Sequence, residues 1–429
     1  MAVRLEKAIG PLLPRALSVL GLALMLAACG VSTTSPSAVS QGSNATDGSQ
    51  SAPQVSYPVF SSLQMTGPDT AFGLAALAPQ TTLPAWNLGT MSTAPSPDVA
   101  FLATTDGGTR WRDLMPPDPV ASGQMQMGSA LYFLNARTGW FGFDLVSQHG
   151  PGSTVVVEHT TDGGRHWQLS GFASPYQGSL YLDFTNPSDG WVLSLSLPGA
   201  GQMAKAVFQT TDGGKTWRQV NCDRDRTSSS LPDDSYPDGI SFNRARGFVT
   251  ALYHGDPYVW VYGTVDGGHT FQRVQVPVPS AYRNDYANPY PPVFSGQVGS
   301  MFVQLVGQKS VLLVYRTTDF GATWRPSGGP PVPSSADLLT SWWSSPEDGY
   351  VLSSDGRDIY VTHDAGLTWK ANSLPAGAAS PLQGPQIITF YAKAHGLLYT
   401  KAASGEGALY TTTDGGEAWT RLVDQVLAH

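Results

Sequence analysis

Carboxylate side chains recur in this sequence at a spacing that suits either repeated turns or repeated ion sites. The motif Thr-x-Asp-x-Gly-x-x-Trp, or a close variant, occurs seven times, with aspartates 45 to 56 residues apart. Seven catalytic or calcium sites of one design in one chain are implausible, whereas Thr and Asp side chains readily close turns by bonding nearby backbone groups. We therefore predict seven structural turns, known as Asp-boxes, built on Asp106, Asp162, Asp212, Asp266, Asp319, Asp364 and Asp414.

Acidic residues that could form a hydrolytic pair are few. After Glu6 the chain contains only the glutamates Glu158, Glu347, Glu406 and Glu417. A glycosidase generally needs two carboxyl groups facing each other across its substrate. Only Glu406 falls in a connection expected to reach a ligand face, and the Phe/Tyr-Arg-Ile-Pro segment typical of sialidases is missing. The sequence favours a protein that is not an enzyme, and a glycoside hydrolase working with aspartates alone remains the alternative.

No metal or cofactor site is predicted. Asp233, Asp234 and Asp238 could approach a calcium ion, but their spacing matches no standard calcium loop. The eight histidines lack metal-ligand spacing. The Asp-Gly-Gly sequences belong to turns with no following helix, so they are not expected to bind phosphate. The only cysteines are Cys29 and Cys222, so no disulfide is available within the repeats.

A second repeat, Phe-x-x-x-x-x-Gly-Trp, precedes most of the aspartate turns, as in Phe133–Trp140 and Phe184–Trp191. Alternating polar and apolar residues beside both turns predict four antiparallel strands per unit. In the third unit these are expected at about Ser179–Thr185, Trp191–Leu197, Ala204–Thr210 and Thr216–Val220. Seven such units predict an all-β, seven-bladed β-propeller with four-stranded antiparallel blades over residues 55–429. We expect it to close without a swapped strand.

Long insertions in the predicted propeller fall between blades, and antiparallel strand order places all of them on one face. They are Arg112–Leu131, Cys222–Ile240, Gln275–Val293, Pro326–Ser341 and Ala371–Ile387. Loops carried by a rigid scaffold commonly carry binding residues, so this face is the expected binding face.

Two of these loops contain the predicted binding residues, chosen because Tyr and Arg supply much of the energy at protein interfaces. The first loop contributes Tyr282, Arg283, Asp285, Tyr286 and Tyr290, and the second contributes Arg224, Arg226 and Tyr236. The composition suits a protein partner or a glycan. The alternative for both segments is an ordinary solvated loop.

The N-terminus predicts export and membrane anchoring. Basic residues precede the apolar run Ala16–Ala28, which is too short to span a bilayer and is typical of a signal peptide. The run ends in Leu-Ala-Ala-Cys, which resembles a bacterial lipobox, so Cys29 is the expected lipidation site. We predict a signal peptide at 1–28, a flexible tether at 29–54, and a protein held on the extracytoplasmic face of the cell membrane.

Charge excludes some partners. Removal of residues 1–28 takes away three basic residues and one acidic residue, which leaves 21 basic and 31 acidic residues. An acidic balance of this size argues against nucleic acid and against general attraction to anionic lipid.

A lipobox, a short tether and Phe…Gly-Trp…Thr-Thr-Asp-Gly-Gly units together resemble the photosystem II stability/assembly factor family, over about residues 55–424. The resemblance implies a non-enzymatic chaperone that binds intermediates of membrane-protein assembly. The photosynthetic members carry a basic patch on the propeller, from which this acidic chain departs. Asp-box turns also occur in sialidases, xyloglucan-hydrolysing glycosidases and sortilin-type receptors, so a glycan-binding or hydrolytic propeller remains the alternative.

Overall fold

The computed structural model describes residues 59–76, 99–114, 125–146, 152–225, 227, 230–253, 258–334, 340–353, 355–375, 386–401, 407–422 and 426–428. These residues form an all-β propeller of seven blades, each based on a four-stranded antiparallel sheet, so the predicted fold class is confirmed. Helical structure in these ranges is limited to the 3-10 turns Asp223–Asp225 and Ser280–Tyr282, and neither could cross a bilayer. The predicted signal peptide, the tether and Cys29 lie outside the described residues.

The strands follow the chain in order through the blades. Blade one contains β1 Val59–Met65, β2 Ala71–Ala76, β3 Val99–Thr104 and β4 Arg110–Asp113. Blade two contains β5 Met125–Phe133, β6 Gly139–Val146, β7 Ser153–Thr160 and β8 Gln168–Ser174. Blade three contains β9 Leu180–Phe184, β10 Gly190–Leu195, β11 Lys205–Thr210 and β12 Arg218–Cys222. Blade four contains β13 Tyr236–Asn243, β14 Arg246–Leu252, β15 Val261–Thr264 and β16 Gln272–Arg273.

Blade five divides its first and last strands into two pieces. It contains β17 Tyr286–Pro289, β18 Val293–Ser295, β19 Val298–Val306, β20 Val311–Thr317, β21 Arg325–Pro326 and β22 Val332–Pro333. Blade six contains β23 Ser341–Trp343, β24 Gly349–Leu352, β25 Asp358–Thr362 and β26 Lys370–Ser373. Blade seven contains β27 Ile387–Tyr391, β28 His395–Lys401, β29 Gly407–Thr412 and β30 Thr420–Leu422. The third-blade strands lie within about two residues of the predicted bounds.

The C-terminus adds a strand that the sequence did not predict. Blade seven is complete from consecutive strands, so no strand is swapped into it. The last strand, β31 Val426–Ala428, then pairs in parallel with β4 at the outer edge of blade one. The end of the chain therefore joins the last blade to the first.

The Phe and Gly of the second repeat are explained by one contact within each blade. Phe184 and Gly190 are paired across β9 and β10, and a side chain at Gly190 would overlap the phenyl ring. Phe133 and Gly139 have the same relationship in blade two. Only glycine leaves room for the ring to lie flat on the neighbouring strand.

The Trp of the second repeat joins one blade to the next. Trp191 of blade three stacks on Phe242 of blade four with ring centroids 3.8 Å apart, and its Nε1 donates to Gly267 O. Trp140 stacks in the same way on Phe184, at 3.5 Å. Stacked aromatic pairs of this kind bury large apolar surfaces, so the repeat builds the core between blades.

Hydrogen bonds that involve side chains cross all seven junctions between blades. Most of them involve the residue immediately before the first position of the second repeat. These bonds fasten the inner strands, which lie side by side, into a closed ring. In blade order they are Gln64 Nε2 to Phe133 O, Tyr132 OH to Phe184 O, Phe242 N to Asp183 Oδ2, Ser241 Oγ to Pro292 O, Ser300 Oγ to Pro346 O, Trp342 Nε1 to Phe390 O and Met65 N to Thr389 Oγ1.

Candidate functional site

The two faces of the propeller carry different connections. In blade three, the β9–β10 and β11–β12 turns lie on one side, which we call the turn face. The β10–β11 connection and the chain from β12 to β13 lie on the opposite side, which we call the loop face. The predicted long loops belong to the loop face. One long connection there lies inside a blade rather than between blades, because 22 residues separate Ala76 from Val99.

On the turn face, the carboxylates of the seven Asp turns are occupied within their own turns. Each Thr Oγ1 donates to its Asp Oδ1 over 2.7 to 3.0 Å and accepts a bond from the backbone N–H of the Gly four residues later. In blade five, Thr323 also donates its hydroxyl to Asp319, and this bond lowers the pKa of Asp319 to about 2. These aspartates are held as turn-closing acceptors.

On the loop face, the segment 279–290, which we call the tyrosine loop, uses its three tyrosines differently. Tyr282 packs against the core between blades four and five. Tyr290 packs against the core of blades five and six, and its hydroxyl lies 3.4 Å from Gln304 Oε1. Tyr286 is 45% exposed. The loop thus has two anchored tyrosines and one presented to solvent.

The charged residues of the tyrosine loop also differ in exposure. The Arg283 side chain is exposed and follows the 3-10 turn Ser280–Tyr282. Asp285 is half-buried against Gly307, and its backbone N–H donates to Tyr282 O over 3.0 Å. Of the two, Arg283 is the residue that a partner could contact together with Tyr286.

The segment 223–236, which we call the charged loop, lies between blades three and four. The Arg224 guanidinium carbon lies 4.8 Å from the centre of the Tyr176 ring, and its Nη2 donates to Pro175 O. The Tyr236 hydroxyl donates to Gly199 O and accepts from Gly201 N, both over 2.6 Å. Arg226 lies outside the described residues. Tyr236 therefore fastens two connections together, whereas Arg224 covers an aromatic ring.

A buried lysine that sequence reasoning missed holds the charged loop. Lys205 is 0% exposed, and its Nζ donates to the carbonyl oxygens of Met203, Pro232 and Ser235 over 2.7, 2.8 and 3.3 Å. Burial lowers its pKa to about 8. The available signal was a lysine at the start of β11, followed by the apolar residues Ala206–Phe208, where charged residues are rare unless they are bonded.

A second missed group lies beside it in blade four. Tyr253 and Tyr258 are partly buried, with ring centroids 5.0 Å apart. The Arg273 guanidinium carbon lies 3.4 Å from the centre of the Tyr258 ring. We call these three side chains the tyrosine–arginine cluster. The two tyrosines belong to the connection between β14 and β15, whereas Arg273 belongs to β16, so no local spacing in the sequence could indicate that the arginine meets them.

Two aspartates of the inner strands have raised pKa values. Burial raises the pKa of Asp183 to about 7 and that of Asp238 to about 8. Asp183 accepts the Phe242 N–H over 2.5 Å across the junction of blades three and four. Asp238 Oδ2 is buried and has no hydrogen-bond partner. Carboxyl groups of this kind occur at active sites and also at structural junctions.

The remaining candidate acids and metal ligands are dispersed. Glu158 is 3% exposed within β7. Glu347 and Glu417 form surface ion pairs on the turn side with Arg316 and Lys370. Glu406 lies outside the described residues. Within the part of the chain that the structure describes, no group of three His, Cys, Asp or Glu side chains could hold a metal ion.

Comparison with known proteins shows the fold and leaves the family open. No protein-family model matches the chain. A xyloglucanase from Paenibacillus sp is 25% identical over 257 residues, which are 51% of this chain and only 23% of that enzyme. YCF48 from Cyanidioschyzon merolae is similar over 72% of this chain and 88% of its own, with 16% identity and a TM-score of 0.44. A structure of prolyl endopeptidases matches over 85% of this chain and 48% of its own, with 14% identity and a TM-score of 0.50.

Proposed function

We propose that this chain is a non-enzymatic, lipid-anchored extracytoplasmic propeller that binds a protein partner through its loop face. The partner would belong to a membrane or envelope complex whose assembly or stability the protein assists. The observation that carries the proposal is the exposed pair Tyr286 and Arg283, which anchored neighbouring residues hold on the loop face. The tyrosine–arginine cluster, whose Arg273 is exposed, lies on the same face.

Preorganisation of the tyrosine loop favours binding over a purely solvated role. The side chains of Tyr282 and Tyr290 pack into two different inter-blade cores on either side of Tyr286. A loop fixed at both ends loses little conformational entropy when a partner binds its exposed residue. Aromatic and arginine side chains in such settings commonly dominate binding energy.

The chain's entry point is compatible with membrane anchoring. Strand β1 begins at Val59 on the loop face, because it runs towards the β1–β2 turn on the turn face. If Cys29 carries lipid, a random coil of the same number of residues as 30–53 would have a root-mean-square length of about 27 Å. The proposal thus has the loop face directed towards the membrane and within reach of partners embedded in it.

Site-specific photo-crosslinking of the full-length protein in its native membrane tests the proposal. A photoreactive phenylalanine analogue replaces Tyr286 in one sample and Tyr391 in the other. Tyr391 is a matched control, since it is 40% exposed and belongs to the turn face. We expect one defined membrane-protein adduct from position 286 and none from position 391. Arg283→Ala should reduce the yield of that adduct. Identical adducts from both positions, or none from position 286, would contradict the proposal.

A second candidate function is glycoside hydrolysis, favoured by the two inner-strand carboxyl groups with raised pKa values, Asp183 and Asp238. A protonated carboxyl near neutral pH is what a general acid requires. The test is release of reducing sugar from xyloglucan by the wild type, Asp238→Asn and Asp183→Asn proteins. Release by the wild type that is lost in Asp238→Asn would establish hydrolysis. Under our proposal, none of the three releases sugar.

A further inference from the structure

The turn face of blades four and five departs from the repeat at one residue. In five of the seven Asp turns, a glycine with φ between 72° and 79° follows the Asp, namely Gly107, Gly163, Gly213, Gly267 and Gly415. Blade five has Phe320 at this position with φ 59°, and its side chain is 37% exposed. A bulky residue in left-handed conformation is strained, and a large exposed ring gains little from burial. Folding alone gives no reason for phenylalanine here.

One arginine of blade four lies beside this ring, and a second lies in the same turn as the first. The Arg246 guanidinium carbon is 5.6 Å from the centre of the Phe320 ring. Arg244, in the same turn, is exposed and also has a positive φ, of 60°. Neither guanidinium forms an ion pair with any carboxylate of the described residues. Val265, in the adjacent Asp turn of blade four, is 65% exposed.

These residues are held on one rigid surface, because hydrogen bonds link the four turns that carry them. Gly267 N donates to Ala245 O and joins the two turns of blade four. Asn243 Nδ2 donates to Gly296 O across the junction between blades four and five. Phe320 N donates to Gln297 O and completes the connection within blade five. A fixed surface of this kind costs little ordering on binding.

The carboxylates nearest to this surface have their acceptor positions occupied. Asp266 receives bonds from the Thr264 and Thr270 hydroxyls and from two backbone N–H groups. Asp319 is bonded by the Thr317 and Thr323 hydroxyls and by the Thr323 N–H. Neither carboxylate forms an ion pair with Arg244 or Arg246, so an incoming carboxylate could accept hydrogen bonds from these guanidinium groups.

We propose that Val265, Phe320, Arg244 and Arg246 form a second docking surface, on the face opposite the tyrosine loop, for a polypeptide segment that carries a carboxylate beside an apolar side chain. The apolar side chain covers Phe320 and Val265, and the carboxylate bonds to the guanidinium groups. Charge complementarity fixes the partner's chemistry, because a partner that covers Phe320 and Val265 would remove water from the neighbouring guanidinium groups, which then need an anionic acceptor. This surface would allow the propeller to join two polypeptides, one on each face.

Selection from a phage-displayed library of short random peptides tests the second surface. The library is panned on the wild-type protein, on the double variant Phe320→Gly with Arg246→Gln, and on Leu169→Ser. Leu169 is the matched control, since it is 61% exposed on the outer strand of blade two. We expect the wild type and the control to select the same peptides, with an acidic residue next to an apolar one. The double variant should bind these peptides about tenfold or more weakly, which corresponds to about 1.4 kcal/mol.

Thermal unfolding separates a binding role from a folding role. Glycine adopts positive φ without strain, so Phe320→Gly alone should leave Tm unchanged or raise it while peptide binding is lost. A lower Tm for Phe320→Gly would show that the ring is retained for folding and would overturn the proposal. It would also be overturned by an absence of selected peptides, or by peptides that lack carboxylates or bind the double variant equally well.

Discussion

The connections between strands are stabilised differently on the turn face and on the loop face of this propeller. On the turn face, seven copies of one Thr–Asp–Gly hydrogen-bond set close the hairpins with almost no variation in distance. On the loop face, each connection is fastened by a different group, as when Lys205 binds three carbonyl oxygens or Tyr236 joins residues 199 and 201.

This difference indicates at which positions amino-acid substitutions should be tolerated. A repeated turn is tied to the core by its Trp and Gly, so a substitution there affects strand pairing and stability. The loop face presents the exposed side chains of Tyr286 and Arg283, and changes to these side chains should alter binding with little effect on stability. Four turns depart from the pattern on the turn face, since Arg244, Phe320, Ala365 and Ala392 have positive φ, and of these only Arg244 and Phe320 carry large side chains.

The largest expected effect is on stability, from Trp191→Ala. Trp191 is 1% exposed, stacks on Phe242 and donates to Gly267 O on the turn face of the next blade. Its removal should lower the free energy of unfolding by about 3–5 kcal/mol, because it opens a cavity between two blades. Urea denaturation measures the loss. The solvent-exposed control Tyr391→Ala should change stability by no more than about 0.5 kcal/mol. Similar losses from both variants would contradict the inter-blade role of Trp191.

A smaller loss is expected when one Asp turn loses its hydroxyl. Thr210→Val keeps the shape of the side chain but leaves the buried Gly214 N–H without its acceptor and removes one of the donors to Asp212 Oδ1. The expected cost is about 2 kcal/mol in the free energy of unfolding, measured by chemical denaturation. Thr154→Val, on an exposed position of β7, is the control and should cost less than about 0.5 kcal/mol. An equal cost at both sites would show that the hydroxyl is not what closes the turn.

Stability should depend on pH with opposite signs for the two kinds of carboxyl group. Burial raises the folded-state pKa of Asp183 to about 7 and of Asp238 to about 8, so their stabilising effect is complete below the unfolded value and is lost as pH rises through 7 to 8. Asp319, bonded by Thr323, has a folded-state pKa of about 2, so its contribution is lost only as pH falls towards that value.

The free energy of unfolding should therefore be highest near pH 4 and should fall by about 2 kcal/mol or more as pH rises from 4 to 8, where the folded carboxyl groups hold protons that the unfolded ones have lost. Denaturation curves recorded from pH 4 to 9 measure the change. Asp238→Asn should reduce the fall between pH 4 and 8, because the amide has no proton to lose. A wild-type protein whose stability rises from pH 5 to 9 would contradict the assignment.

The smallest expected effect on stability is that of Tyr286→Ala. Its side chain is 45% exposed at the start of β17, so the free energy of unfolding should change by less than about 0.5 kcal/mol. Under the proposed function, the same change should nevertheless abolish partner capture in intact membranes. Tyr282→Ala provides the contrast, since Tyr282 packs into the core and its loss should destabilise the protein. If Tyr286→Ala retained the partner, the loop face at blade five would not be the contact.

Much of the fold was predictable because the repeated residues make the same contacts in each blade and with the next blade. Phe184, Gly190 and Trp191 are close in sequence, and each makes the contact that its type suggests, with a strand or blade immediately following in the chain. The parallel pairing of β31 with β4 was not predictable, since it joins residues from opposite ends of the chain. This pairing occurs once in the molecule, so the repeated sequence pattern carries no information about it.

The candidate site was only partly predictable for the same reason. Composition identified the tyrosine loop, but it could not separate the exposed Tyr286 from Tyr282 and Tyr290, which pack inward. Tyr258 and Arg273 escaped notice because they meet only when β15 and β16 pair. The sequence shows that Phe320 occupies a position where most Asp turns have glycine. Its contact with Arg246 is visible only in the tertiary structure, because Arg246 belongs to the neighbouring blade.

The sequence by itself determined the seven blades, their four strands and the residues of the Asp turns, because these depend on short-range periodicity and turn chemistry that repeat every 50 or so residues. Only the tertiary structure decided which polar groups are buried, which tyrosines are presented and which arginines lack a carboxylate partner. Burial and charge pairing depend on neighbours from other blades, and closure of the ring is what brings those neighbours together.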